Sequence, residues 1–231
     1  MTHKFTILFD LDGTLVNSAP DLMHAHNHVM KKYGYDEREL SDIKKLAGRG
    51  SKVMLTKSMH ELAEMSGKIK KTDDLIEEMT KEFIDYYSKN IAKESTLKNG
   101  TINFLSWCKK KSISLAVCTN KQEHLSIDLL KKIKIYNYFD YVAGGNTFNH
   151  NKPNPKHLTD TIEILGGSIK KTLMIGDSET DSNASKAANI PFILIDDGYT
   201  EKKSNEIYHN HLVKDFVGLE KIVEKYIYDW V

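Results

Sequence analysis

The sequence predicts an α/β fold in which a parallel sheet, covered by helices on both faces, carries an inserted bundle of helices. Three observations predict it. The chain opens on a short apolar run, Thr6-Ile7-Leu8-Phe9, that ends in a carboxylate, Asp10. Residues 19–90 then carry helical periodicity and no convincing strand. From residue 97 onward, short apolar runs alternate with helical patterns, as in strands joined by helical crossovers. The core is therefore expected over residues 1–16 and 91–231, and a helical cap over 17–90.

Each element follows in order. A continuous apolar run of four residues suits a strand buried on both faces, and Asp12-Gly13 then turns the chain. Asp21 to Tyr33 reads as a helix with Leu22, His26, Val29 and Met30 near one face, stopped by Gly34. A shorter helix is expected over Asp36 to Leu46. Ser51 is placed to cap a helix carrying Val53, Met54, Leu55, Met59, Leu62 and Ala63, which Gly67 stops. Asp73 or Asp74 begins another, with Leu75, Ile76, Met79, Phe83, Ile84 and Tyr87. A stripe of Met and aromatic residues at this spacing is bundle core rather than a cofactor site. Beyond it come a helix over Thr101–Lys111, a strand over Ser112–Cys118, a helix over Glu123–Lys132 and a strand over Phe139–Ala143. Then follow a helix over Pro155–Leu165, a strand over Thr172–Ile175, a helix over Thr180–Ala188 and a strand over Pro191–Ile195. A short strand over His211–Val213 and a helix over Phe216–Asp229 end a Rossmann-like arrangement.

Composition excludes several classes of function. Lysine and arginine number 33 against 32 acidic residues, a net charge of +1, so nothing marks a nucleic-acid binder. No apolar run is long enough to span a membrane, and the N-terminus reaches a strand with no basic-then-apolar leader. Two cysteines, Cys108 and Cys118, give neither a disulfide framework nor a CxxC pair, which fits a reduced, cytoplasmic setting. His24, His26 and His28 alternate within a helical pattern and so do not share a face. They are read as surface residues rather than a metal site.

Four strand ends carry polar residues. The first gives Asp10 and Asp12, the second Thr119 and Asn120, the next loop Lys152, and the GDSETD stretch Asp177 and Asp181. In a parallel sheet these loops open to one edge and can converge. The set suits phosphoryl transfer with one divalent cation. Mg²⁺ takes oxygen ligands, for which Asp10, Asp177 and the backbone carbonyl of Asp12 are the candidates. Lys152 supplies positive charge at the transferring oxygens. Thr119, Asn120 and the amides that follow them are placed to hold phosphate at the start of a helix. Asp10 is the candidate nucleophile and Asp12 the candidate acid and base. Asp181 is placed to order metal waters or Lys152.

Together these stretches resemble the haloacid dehalogenase-like superfamily of phosphohydrolases. FDLDGTLVNS is similar to its first motif, CTN to its second, the lysine of NKPNP to its third and GDSETD to its fourth. Within the superfamily, DLDGTLVNSAPDL, LAGRG and GGNTFNHNKPNP resemble the phosphoglycolate phosphatase branch, from which Asn17 and Asn146 depart where aspartate is usual. The resemblance implies a Mg²⁺-dependent phosphatase acting on a small phosphorylated molecule. It also implies the same roles for Asp10, Asp12, Thr119, Lys152, Asp177 and Asp181, and a cap that selects the substrate. In that cap, Gly48-Arg49-Gly50 with Lys52 is a cationic loop, and Arg49 is a candidate for a substrate carboxylate or second phosphate. Pyrophosphatase or nucleotidase activity, a sugar-phosphate mutase and a non-enzymatic interaction protein stay open as alternatives. Monomer and homodimer are equally compatible with the sequence.

Overall fold

A computed structural model describes residues 4–66 and 73–228 of the chain. The apolar run Thr6–Phe9 forms β1 at the centre of a six-stranded sheet. A two-residue strand, β2 (Val16–Asn17), leads into the cap helices α1 (Ala19–Lys32), α2 (Leu40–Leu46), α3 (Ser51–Ser66) and α4 (Asp73–Asn90). The chain returns through β3 (Thr96–Leu97), which pairs antiparallel with β2. This two-stranded strap was not visible in the sequence, because two residues carry no periodicity.

The core then alternates α5 (Thr101–Lys110), β4 (Ser114–Cys118), α6 (Glu123–Lys132), β5 (Tyr141–Ala143), α7 (Lys156–Ile164), β6 (Thr172–Gly176), α8 (Glu179–Ala187), β7 (Phe192–Ile195), β8 (His211–Val213) and α9 (Glu220–Tyr228). The sheet order is β5-β4-β1-β6-β7-β8, and all its pairings are parallel. Alternate residues face opposite sides. Ile7, Phe9, Val117 and Ile175 join one apolar cluster, while Leu8, Ala116, Cys118 and Met174 join a second with Leu158, Ile162 and Ala184. Both faces are therefore buried, which explains why these strands read as unbroken apolar runs.

The chain order reverses at β1, whose neighbours are β4 and β6. Phe9 is level with Val117 on one side and Ile175 on the other. The loops following these three strands therefore meet at one point on the carboxyl edge, where such sheets bind ligands.

Two expectations need correction. His26 is not a surface residue: it is fully buried, its Nε2 3.1 Å from Ser58 Oγ and its Nδ1 3.1 Å from Asn27 Oδ1. It shares the buried stripe of α1 with Leu22, Val29 and Met30, and helical spacing decides its burial more than its polarity does. Burial lowers its pKa, in keeping with a neutral imidazole. His24 and His28 face outward and meet Glu94 and Glu82. The second cap helix begins at Leu40 rather than Asp36, because Asn27 on α1 bonds both the N–H and the carbonyl of Arg38 and holds that stretch out of the helix. Gly67, Asp229 and the side chains of Leu62 and Ala63 lie outside the described residues.

Candidate active site

Asp10 follows β1 directly, and its N–H continues the sheet by bonding the Ile175 carbonyl at 3.0 Å. Its carboxylate is buried, 7% exposed, with Lys152 Nζ 3.0 Å from Oδ1. Lys152 is itself 2% exposed, and its ammonium also donates to Asp181 Oδ1 at 2.6 Å. Burial works against the Lys152 charge, but Asp10 and Asp181 outweigh it and hold the pKa above that of a free lysine. Burial pushes the Asp10 carboxyl up to about 6, against the pull of Lys152. Asp177 is also pushed well above the usual carboxylate range, first by burial and then by Asp10 and Asp181.

Asp177 is fixed from two sides. Thr14 Oγ1 donates to its Oδ1 at 2.5 Å, and the Tyr199 N–H donates to its Oδ2 at 2.6 Å. Gly13 makes this possible: its φ is +85°, and a Cβ there would stand 2.2 Å from Asp177 Oδ2. Asp181 Oδ2 accepts from the N–H groups of Asp177 and Ser178 and from the Ser178 hydroxyl, while its Oδ1 takes Lys152. Its oxygens are thus occupied in bracing the loop and the lysine.

Asp10, Asp177 and Asp181 each offer a carboxylate oxygen within 4.8 Å of the others. When all three are ionised, Lys152 balances one charge and two remain, which a divalent cation would cancel. The donors are all hard oxygens, as Mg²⁺ prefers. The residues therefore fit the ion, with Asp10 and Asp177 the carboxylates freest to hold it.

The Asp12 side chain stands apart from this cluster. Its Oδ2 lies 2.9 Å from Lys121 Nζ, and its Oδ1 accepts from Lys121 at 3.2 Å and from Ser18 Oγ at 2.5 Å. Among the candidate ligands named from sequence, Asp12 is left with only its backbone carbonyl to offer. Lys121, buried and adjacent to the CTN stretch, was missed by sequence reasoning. A lysine two residues beyond Thr119 at a strand end was the signal available. Burial opposes its charge, but Asp12 and Tyr87 keep its pKa above the ordinary lysine value.

Thr119 is buried at the end of β4 and lines the same cavity as Asp10 and Asp12. Asn120 lines it too, yet its Nδ2 is committed to the Lys152 carbonyl at 2.9 Å, so that it positions the lysine loop. The cavity measures about 50 Å³; the cap gives it Leu22, Gly48, Ser51, Met54, Phe83 and Tyr87, and the core adds Lys121 and Leu125. The cap lies shut on the core. A Cβ on Gly48 would stand 2.6 Å from the Tyr199 carbonyl, and Lys44, Arg49 and Lys57 pair with Asp197, Glu179 and Glu201 across the seam. The candidate loop reaches the cavity through its glycines, while Arg49 turns to Glu179 at 3.3 Å and Lys52 to Glu77 at 3.1 Å. Arg49 is therefore engaged at the seam and is not among the residues that line the cavity.

Comparison with known proteins bears on this geometry. Residues 7–195 match the model of the haloacid dehalogenase-like hydrolase family. A phosphoglycolate phosphatase from Mesorhizobium japonicum is 35% identical over 92% of each chain, and one from Agrobacterium fabrum is 34% identical over 94% of each. A crystal structure described as a predicted phosphoglycolate phosphatase from Haemophilus somnus superposes with a TM-score of 0.89 at 27% identity, covering 96% of this chain and 99% of that one.

Proposed function

This chain belongs to the haloacid dehalogenase-like hydrolases, and from that premise we propose that it is a Mg²⁺-dependent phosphatase hydrolysing 2-phosphoglycolate through an aspartyl phosphate on Asp10. One observation carries the reading: a buried carboxylate, Asp10, lies against Lys152 on the floor of a closed cavity, with a second carboxylate, Asp12, lining the same cavity.

Asp10 and Asp177, with the Asp12 carbonyl, would hold the ion. When bound it supplies positive charge that lets an anionic nucleophile approach a dianionic ester. Lys152 and Thr119 would hold the phosphoryl oxygens in line with Asp10. An Asp10 oxygen attacks phosphorus, the ester P–O bond breaks, and Asp12 serves as the general acid that gives a proton to the leaving alkoxide. In the second step Asp12 takes a proton from water, whose oxygen attacks the aspartyl phosphate and releases inorganic phosphate. The closed cap keeps bulk water from the first step.

Cavity size supports a small substrate. At roughly 10–15 Å³ per water, about 50 Å³ holds about three to five waters, a space on the scale of a small ester rather than of a nucleotide. The names of the relatives point the same way.

Phosphate release with Mg²⁺ from 2-phosphoglycolate, pyrophosphate, nucleoside monophosphates and hexose phosphates tests the reading. Preference for 2-phosphoglycolate is expected, with kcat reduced by at least roughly a thousandfold in Asp10→Asn. Equal turnover of the panel would remove the substrate assignment. An active Asp10→Asn would remove the mechanism.

A further inference from the structure

Tyr87 on α4 is a cap residue that the chemistry above leaves unused. It is 1% exposed and stacks on Phe83, the ring centroids 5.9 Å apart. It lines the cavity that holds Asp10 and Asp12. Its hydroxyl is buried, and although the Lys121 ammonium is near enough to donate to its oxygen, its own proton meets no acceptor among the described residues. Lys121 lies over the ring, its ammonium 4.2 Å from the centroid. An ammonium carries only donors, so it cannot accept the phenol proton. Burial pushes the phenol up to about 12, so the proton stays in place at neutral pH. A buried donor without an acceptor is unfavourable. Here it stands beside a cation in the wall of the cavity that holds Asp10 and Asp12, so the missing partner has the character of an anionic oxygen.

We propose that the Tyr87 hydroxyl donates a hydrogen bond to the substrate's carboxylate, the end of the molecule that is not transferred, and so selects esters bearing a second anion. This rests on the reading of 2-phosphoglycolate as substrate. It deepens that reading by naming the cap residue that distinguishes this ester from one of the same size without the acid. The cap helices present Leu22, Met54 and Phe83 as an apolar wall together with two hydroxyls, Ser51 at the start of α3 and Tyr87, of which Tyr87 is the fully buried one. Lys121, already paired with Asp12, adds positive potential on the same side.

The test compares 2-phosphoglycolate with ethyl phosphate, the same ester with a methyl group in place of the carboxylate. Wild-type enzyme and Tyr87→Phe, which keeps the ring over Lys121, are assayed with Mg²⁺. The wild type is expected to prefer 2-phosphoglycolate. In Tyr87→Phe the ratio of kcat/KM for 2-phosphoglycolate to that for ethyl phosphate should fall at least about tenfold, chiefly through KM for the acid. Turnover of ethyl phosphate reports that the variant is folded. An unchanged ratio overturns the assignment of Tyr87 while the substrate reading stands. Equal losses on both esters overturn it too, because the residue would then act through Lys121 or the packing of the cap. A wild type that does not distinguish the two esters overturns the substrate reading, and the proposal with it.

Discussion

Lys121 and Asp12 form a part-buried ion pair in which the carboxylate has one cationic partner and one hydroxyl, Ser18. Removing one member of such a pair leaves the other exposed to the cost of burial. Lys121→Met is therefore expected to misplace Asp12 without touching Asp10, Lys152 or Asp177. General acid–base groups contribute roughly 10²–10⁴-fold, and loss of a positioning partner should cost less, about 10–100-fold in kcat with a smaller change in KM. Steady-state kinetics on 2-phosphoglycolate check this, and an unchanged kcat would free Asp12 from any need of the lysine. At this scale the sequence was partly legible. Asp10, Lys152, Asp177 and Asp181 stood out because carboxylates and a lysine at the ends of apolar strands need a reason. Lys121, Thr14 and Tyr199 did not, because a lysine, a threonine and a tyrosine in loops are ordinary until their partners from distant parts of the chain are known.

The joint between cap and core is built by the elements that enter and leave the cap. Asp21, in the first turn of α1, is buried and accepts three hydrogen bonds from the returning chain: the N–H groups of Glu94 and Ser95 and the Ser95 hydroxyl. The strap of β2 and β3 lies beside it. Asp21→Ala should cost about 3 kcal/mol by leaving these donors unmet. For a chain of this length that is a fall in Tm of roughly 6–12 °C, measurable by calorimetry. A shift below 2 °C would mean that water replaces the aspartate. Gly48→Ala tests the other side of the joint. The added Cβ meets the Tyr199 backbone rather than a flexible side chain, so it should hold the cap off the core and lower kcat/KM at least about tenfold while Tm changes little. The helices and strands themselves were readable from periodicity because each buries a regular stripe or two faces. The strap and the Arg38 stretch were not, since both are fixed by partners that sequence spacing does not reveal.

Across the whole molecule, the carboxylate cluster ties stability to pH and metal. In metal-free protein the folded Asp10 has its pKa raised to about 6, and Asp177 is also raised, while unfolded carboxylates titrate near 4. A raised carboxyl favours the folded state when protonated. Its contribution is present below about pH 4 and lost as pH rises through about 6. Magnesium held by Asp10 and Asp177, as proposed above, would bind their ionised form and displace those protons. The gain in Tm on adding Mg²⁺ should thus be small at pH 5, rise through pH 6 and level off above it, as a thermal-shift series with and without chelator can measure. A gain independent of pH would place the ion elsewhere.

The strand order has a consequence for how the chain is made. β1 leaves the ribosome well before its sheet neighbours, Ser114–Cys118 and Thr172–Gly176. Synthesis at about 5–20 residues per second leaves this apolar strand without a partner for roughly 5–20 s. The cap helices, whose packing is local in sequence, emerge during that interval and can fold first. The nascent chain is thus expected to carry a formed cap beside an unpaired, aggregation-prone strand, a window in which a chaperone would bind Thr6–Phe9 rather than the helices.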